Sequence, residues 1–297
     1  MRVLVTGAAG QLGHDLMRVC TAAGDDLTGI DLPAVASGPI VGVDITDRDA
    51  VLGCLTSLRP DVVVHGAAFT AVDACESDPA KAYAANALAV RWVAEGCDRV
   101  GAHLVHVSTD YVFDGTLDRP YHEWDSPNPQ SVYGTSKLAG EREALALGPR
   151  AAVARTSWVC GANGSNMVKT VIGLVRDRPT LSFVTDQVGH PTFTADLAPM
   201  LRRLAVDRRS GVHHTTNQGA VSWHGFVQEI VRLLGRDPEM VLPVLTADLQ
   251  PARPAPRPAN SVLDNSVVRA AGLPMMRDFR EPLAELVAML TGGHPHG

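Results

Sequence analysis

Short, largely apolar runs alternate with longer amphipathic stretches through the first half of the chain. The runs are Val3-Leu4-Val5, Asp26 to Ile30, Val41 to Ile45, Val62-Val63-Val64, Leu104 to Val107 and Ala151 to Ala154. Strands apolar on both faces belong to a parallel sheet covered by helices on either side. Between them, the segments around Leu16 to Val19, after Thr46, from Pro79 to Val100 and from Lys137 to Leu145 read as helices, with Thr46 or Asp47 as an N-cap. In the second half, Leu181–Val184 and Val212–Thr216 read as strands, and Ala195–Ala205 and Trp223–Leu234 as helices. Weaker helical patterns surround Val267 and run from Leu283 to Leu290. Pro251 to Pro258 holds four prolines that remove amide donors, so it is excluded from regular structure. The alternation predicts an α/β fold with a doubly wound parallel sheet.

Composition narrows this only by exclusion. At 297 residues, 45% hydrophobic and 20% charged, the chain has the make-up of an ordinary globular protein. A net charge of −6 gives no cause to expect nucleic acid or an anionic membrane as partner. No apolar run approaches the length of a bilayer span, and the first residues enter a strand pattern without a signal-peptide layout. The five cysteines, Cys20, Cys54, Cys75, Cys97 and Cys160, are scattered, which predicts reduced thiols in a cytoplasmic protein. His213-His214 sits in a strand-like run and His294 and His296 in a tail, so neither pair is expected to bind metal.

Chemistry enters with the first turn. The first strand runs into Gly7-Ala8-Ala9-Gly10-Gln11-Leu12-Gly13 and then a helix. Glycines there let the backbone approach a pyrophosphate, which meets the helix's free N–H groups and positive dipole end. The next strand ends at Asp31, placed either to accept hydrogen bonds from an adenosine ribose and oppose a 2′-phosphate, or to cap a loop. Asp44 would lie near the adenine. Gly66-Ala67-Ala68, small residues at another strand end, leave room for the dinucleotide to pass. The expected architecture is therefore a Rossmann-type domain over residues 1–160, with segments of about 180–215 returning to it, and a smaller C-terminal α/β substrate-binding region over 161–297.

The stretch from Ser108 to Lys137 carries the reactive groups. Ser108-Thr109-Asp110 ends an apolar run, the carboxyl end where open α/β sheets bind ligands. Tyr133 and Lys137 are four apart on a helix and leave one face. A cation one turn away would lower the tyrosine's pKa and make it a general acid near neutrality, whereas on an ordinary surface helix the pair would do nothing. Asn86 is either solvated or a buried hydrogen-bonding support for the site. Trp158, just past a strand end, faces either a sugar or the core. Arg253 and Arg257 are either a diphosphate clamp on stiff backbone or part of a solvated linker.

In this order and spacing, the glycine turn, Ser108-Thr109-Asp110, Tyr133 and Lys137 resemble the extended short-chain dehydrogenase/reductases. Five blocks narrow the resemblance to the dTDP-4-dehydrorhamnose reductases: Ala67 to Asp73, Ser108 to Gly115, Arg155 to Val159, Asp186 to Thr192 and Arg257 to Ser261. It covers essentially the whole chain. The resemblance implies reduction of the 4-keto group of dTDP-4-dehydro-L-rhamnose to dTDP-L-rhamnose by NADPH or NADH. It implies that Tyr133 protonates the carbonyl oxygen, Lys137 holds the nicotinamide ribose, Thr109 hydrogen-bonds the keto oxygen and Asn86 supports the proton route. The cofactor would meet Gly7, Gly10, Gln11, Leu12, Gly13, Asp31, Asp44, Ile45, Ala67, Ala68 and Thr70 besides Tyr133 and Lys137. The dTDP-sugar would meet Thr70, Thr109, Asp110, Trp158, Arg253, Arg257 and Asn260. Some members join two subunits through Mg²⁺ held by carboxylates. Here Asp15 stands where one ligand can occur, but Thr194 replaces another, so no metal and a monomer or weak homodimer are expected. The same motifs would also serve a ketoreductase for another dTDP-4-keto-6-deoxy sugar, of antibiotic-sugar or dihydrostreptose type. They are shared too with a nucleotide-sugar epimerase that retains NAD⁺, and with a non-catalytic dinucleotide-binding regulator resembling that of methionine adenosyltransferase.

Overall fold

Seven parallel strands form the central sheet in this computed structural model, which describes residues 1–292; His294 and His296 lie outside the described residues. In chain order the strands are β1 (Arg2–Thr6), β2 (Asp26–Asp31), β3 (Ile40–Gly42), β4 (Val62–His65), β5 (His103–Thr109), β6 (Ala151–Thr156) and β7 (Gly211–His214). Across the sheet they lie in the order β7-β6-β5-β4-β1-β2-β3. The direction of winding reverses between β1 and β4, the place where a doubly wound sheet opens a crevice at its carboxyl edge. Register aligns those ends: Thr6 pairs with His65, and Thr109 with Thr156.

Alternation along the strands supplies both faces. Val3, Val5, Val62 and Val64 pack with Leu16 and Cys20 of the helix Gln11–Ala22 and with Leu197, Leu201 and Leu204 of the helix Thr194–Val206. Leu4, Val63, Leu104 and Val153 pack on the opposite face with Val51, Leu55, Val90 and Val93 from the helices Arg48–Leu58 and Ala89–Val100. A third cluster gathers Val171, Val175, Leu181, Phe226, Ile230, Val241, Phe279 and Leu283. Its helices are Met167–Asp177, Trp223–Leu233 and Arg280–Thr291, and Leu181–Val184 pairs there with Val241–Val244 in parallel. No helix among the described residues is long and apolar enough to cross a membrane.

Local differences from the sequence pattern have physical causes. The strand expected over Val41–Ile45 stops at Gly42, because Val43 N–H turns to the Asp31 carbonyl and Asp44 accepts from Thr46. Asp47, not Thr46, caps the following helix through the amides of Asp49 and Ala50. The helical stretch from Pro79 to Val100 contains a π-helical turn at Ala84–Leu88, the kind of inserted turn that recurs at functional sites. The Pro251–Pro258 segment is irregular, as its prolines require, yet it is packed onto the fold: Ala255 is buried and donates its N–H to Asp73.

Candidate active site

The cradle at the end of β1 is shaped by contact distances. Gly7 adopts φ +72°, and a Cβ there would meet Ala67 N at 2.8 Å; at Gly13 it would fall 2.1 Å from the Gly7 carbonyl oxygen. Only glycine lets the turn close this tightly. The helix Gln11–Ala22 begins at Gly10 with no side-chain cap and no acidic residue in its first turn. Its free amides therefore remain open to an anion. Asp31 stands at the end of β2, where its carboxylate accepts from Ala9 N–H at 2.9 Å and Leu32 N–H at 2.8 Å.

A cavity of about 910 Å³ runs from this cradle along the carboxyl edge of the sheet. Gly7, Gly10, Gln11, Leu12, Gly13, Asp31, Asp44, Ile45, Ala67, Ala68, Thr70, Thr109, Asp110, Tyr133, Lys137 and Trp158 all line it. Residues more than a hundred positions apart are thus brought into one crevice. The close-packed glycine cradle, the uncapped helix end and the volume of the cleft fit a nicotinamide dinucleotide with a second ligand beside it.

At the far end stand the reactive groups. The helix Val132–Leu145 is started by Ser131, which accepts from Gly134 N–H, and by Glu76, which accepts from Val132 N–H at 2.8 Å. Tyr133 and Lys137 leave one face of it and are both buried. Lys137 Nζ donates to the Val107 carbonyl at 2.7 Å, leaving two of its three donors. Burial pushes its pKa down to about 8 against the pull of Glu141 one turn on. The expectation of a lowered Tyr133 pKa is corrected: burial drives it above the ordinary phenol value, and only a Thr109 hydrogen bond works the other way. Desolvation is the dominant cause because the phenol is buried. The consequence is a tyrosine held in its proton-donating form.

Thr109 Oγ1 donates to Asp110 Oδ1 at 3.0 Å and accepts from Tyr111 N–H. The Asp110 side chain is buried with Oδ2 unpartnered among the described residues, and desolvation pushes its pKa up to about 6 against the hydrogen bond from Thr109. Asn86 lies behind the cavity wall. Its amide accepts from Phe69 N–H at 2.8 Å and donates to the Phe69 carbonyl and to Ser136 Oγ, both at 3.0 Å. It thereby ties the loop after β4 to the Tyr133 helix, and none of these bonds reaches the Tyr133 hydroxyl or the Lys137 ammonium.

Arg253, Arg257 and Asn260 do not line the cavity. Arg257 forms a bidentate pair with Asp73 at 3.1 and 2.9 Å, and Arg253 stands 3.7 Å from the same carboxylate. Asn260 donates to the carbonyls of Leu117 and Arg119. The proline segment is thus tied through Arg257 to Asp73 in the helix Val72–Ser77, with Arg253 left largely exposed beside it. Sequence reasoning passed over Trp223, whose ring lies on that of Trp158 at 3.6 Å between centroids and 9° between planes. Both rings line the cavity, and Trp158 holds a left-handed φ of +46° to present its face. A lone Trp opening a helix gave no signal, since its partner is distant in sequence. Asp15, weighed as a metal ligand, is engaged by Arg18 and by the Thr194 hydroxyl. Among the described residues no group of three or more His, Cys, Asp or Glu side chains is placed to hold a metal ion.

A doubly wound sheet, a glycine cradle at its switch point and a hydroxyl–tyrosine–lysine cluster at the end of β5 define a dinucleotide-dependent oxidoreductase of the extended short-chain type. The family profile described as RmlD substrate binding domain matches residues 1–291. The dTDP-4-dehydrorhamnose reductase of Streptomyces griseus is 44% identical over 98% of this chain and 94% of that protein. A probable dTDP-4,6-dihydroxy-2-methyloxan-3-one 4-ketoreductase of Streptomyces antibioticus is 42% identical over 99% of this chain and 98% of that one. Among solved structures, the Bacillus anthracis dTDP-4-dehydrorhamnose reductase in complex with NADP matches with a TM-score of 0.90 at 36% identity, covering 97% of this chain and 99% of that one. The chain belongs to the dTDP-4-dehydrorhamnose reductase family.

Proposed function

We propose that this chain reduces the 4-keto group of dTDP-4-dehydro-L-rhamnose to dTDP-L-rhamnose, using NADH or NADPH. The observation that carries the reading is the placement of Thr109, Tyr133 and Lys137 at one end of a cleft whose other end is the Gly7–Gly13 cradle. When bound, the dinucleotide supplies the hydride; the chain supplies orientation and the proton. The free amides at the start of the helix Gln11–Ala22 hold the pyrophosphate, and Asp31 faces the adenosine ribose. Lys137 turns its two remaining donors to the nicotinamide ribose. Thr109 and Tyr133 meet the keto oxygen, and Tyr133 delivers its proton as negative charge gathers there. Asp110 Oδ2 accepts from a sugar hydroxyl, the Trp158 face packs on the sugar ring, and Thr70 meets it from the loop after β4. Asn86 keeps that loop and the Tyr133 helix in register.

The test is oxidation of NADH and NADPH by the purified chain with dTDP-4-dehydro-L-rhamnose, followed by absorbance, with product stereochemistry read by NMR. Rapid turnover to the L-rhamno product is expected. The relative named as a 4-ketoreductase of a different dTDP-sugar supports a second reading, reduction of another dTDP-4-keto-6-deoxy sugar. A kcat/KM at least a hundredfold higher for such a sugar, a factor of about 3 kcal/mol, would replace the first reading by the second. Light scattering of the same sample is expected to give a monomer or weak dimer.

A further inference from the structure

The chain after β6 runs straight into the reactive end of the cleft. Thr156 pairs with Thr109 across β5 and β6, and Trp158 follows two residues later, half-buried and lining the cavity. The backbone there is fixed. Ser157 Oγ donates to the His190 carbonyl at 2.6 Å, and the Trp158 carbonyl accepts from Thr192 N–H at 3.3 Å. The ring is held by a separate two-stranded ribbon, Val188–Gly189 paired antiparallel with Val221–Ser222. Gly189 brings the ribbon's backbone against the indole, since a Cβ there would fall 2.8 Å from Trp158 Cε2 and 2.9 Å from Cζ2. Trp223 follows the ribbon directly. Its N–H donates to the Gln187 carbonyl at 3.3 Å, and its ring lies nearly parallel to that of Trp158 at 3.6 Å between centroids. Phe226, one turn on and buried in the third core cluster, stands 6.1 Å from the Trp223 ring and 6.4 Å from the Trp158 ring.

We propose that Trp223 is a positioning residue for the sugar: it holds the Trp158 indole as an apolar wall beside the keto site, where the C–H face of a dTDP-linked pyranose packs. The proposal rests on the reductase reading and deepens it by naming what sets the sugar's place. The first support is strain. Trp158 holds φ +46°, a conformation that a residue other than glycine keeps only where its surroundings over-determine it. The second is that one ribbon supplies both restraints on the ring, the Gly189 backbone and the Trp223 indole, so the indole's position is set by contacts made before any ligand arrives. A pyranose carries C–H groups on its faces and hydroxyls at its rim, which suits a flat aromatic surface. Without Trp223 the indole loses its stacking partner and regains rotamer freedom, which the sugar would have to remove at each binding event. Thymidine diphosphate has no hexose and should not sense the loss.

Calorimetric titration with dTDP and with dTDP-L-rhamnose separates the hexose's share of the affinity from the nucleotide's. In Trp223→Leu the affinity for dTDP-L-rhamnose is expected to fall by about tenfold, the worth of an aromatic pair, with dTDP and NADH affinities kept within about twofold. KM for the keto sugar should rise by the same factor while kcat changes less. Trp223→Phe restores a ring to the stack and should recover most of the loss. Because Trp223 acts through Trp158, adding Trp223→Leu to Trp158→Leu should cost nothing further, which a double-mutant cycle reads as full coupling. Additive losses in the cycle or an unmoved dTDP-L-rhamnose affinity overturn the inference. So does a loss shared equally by dTDP and NADH, or failure of both Trp223 variants to fold, either of which makes Trp223 structural only. A wild type for which the hexose adds nothing to dTDP affinity overturns it too. A wild type that binds dTDP-L-rhamnose more tightly than dTDP but fails to reduce the keto sugar defeats the reductase reading alone, since the cycle is read on binding.

Discussion

Replacing Asp31 by Asn should change which cofactor the chain prefers. The carboxylate sits at the end of β2 and lines the cavity, where the adenosine ribose is proposed to lie. A 2′-phosphate about 5 Å away would be repelled by about 1 kcal/mol per charge at the permittivity of water and about 3 kcal/mol at an effective value of about 20. The lower end applies here. Both oxygens already accept backbone N–H groups, from Ala9 and Leu32, and the site opens to solvent. Asn keeps one acceptor for the turn and removes the charge, so the geometry of the glycine cradle should survive. NADH should therefore serve the wild type at least as well as NADPH. In Asp31→Asn the ratio of kcat/KM for NADPH over NADH should rise by about tenfold, equivalent to about 1.4 kcal/mol. Steady-state kinetics with both cofactors at fixed ionic strength reads this directly. A wild type that prefers NADPH tenfold, or a ratio unmoved by the substitution, would refute the placement of Asp31 against the ribose.

Two further outcomes follow from the same cleft. Tyr133→Phe keeps the ring's packing but removes the proton donor, so kcat should drop by roughly two to four orders of magnitude with NADH affinity, read by fluorescence titration, nearly intact. Asp110 is pushed up to about 6 by burial, so its contribution to stability is full below the ordinary carboxylate range and is lost as pH rises through about 6. Asp110→Asn should therefore flatten the stability profile between about pH 4 and pH 7 by about 2 kcal/mol; urea unfolding at both ends of that window, compared with wild type, checks the sign.

The legible parts of the chain were the local ones. A glycine cradle shows in seven consecutive residues because its geometry is set within the turn, and Tyr133 and Lys137 show because helical spacing fixes their shared face. Buried parallel strands show because both faces are apolar, although their order across the sheet is set by helix packing that no single run reveals. The packing of the proline segment on the fold was not legible, since the Asp73 partner of Arg257 is 184 positions away. The stacking of Trp223 on Trp158 was illegible for the same reason.

The helix that carries Tyr133 shows where pattern reading fails in principle. Tyr133 and Lys137 at i and i+4 also read as a pair on an ordinary amphipathic surface helix. In the structure both are buried, along with Gly134, Ser136, Leu138, Gly140 and Glu141. Gly140 permits this, since a Cβ there would fall 2.1 Å from the Asn86 carbonyl oxygen; the helix lies against the π-turn that carries Asn86. A buried ion pair such as Arg155–Glu141 gains little over apolar residues of the same volume, because desolvation offsets the attraction. Its presence under the sheet's carboxyl edge is therefore poorly explained by stability. What the pair does there is hold Ser108, the neighbour of Thr109, whose hydroxyl donates to the Glu141 carboxylate at 2.6 Å.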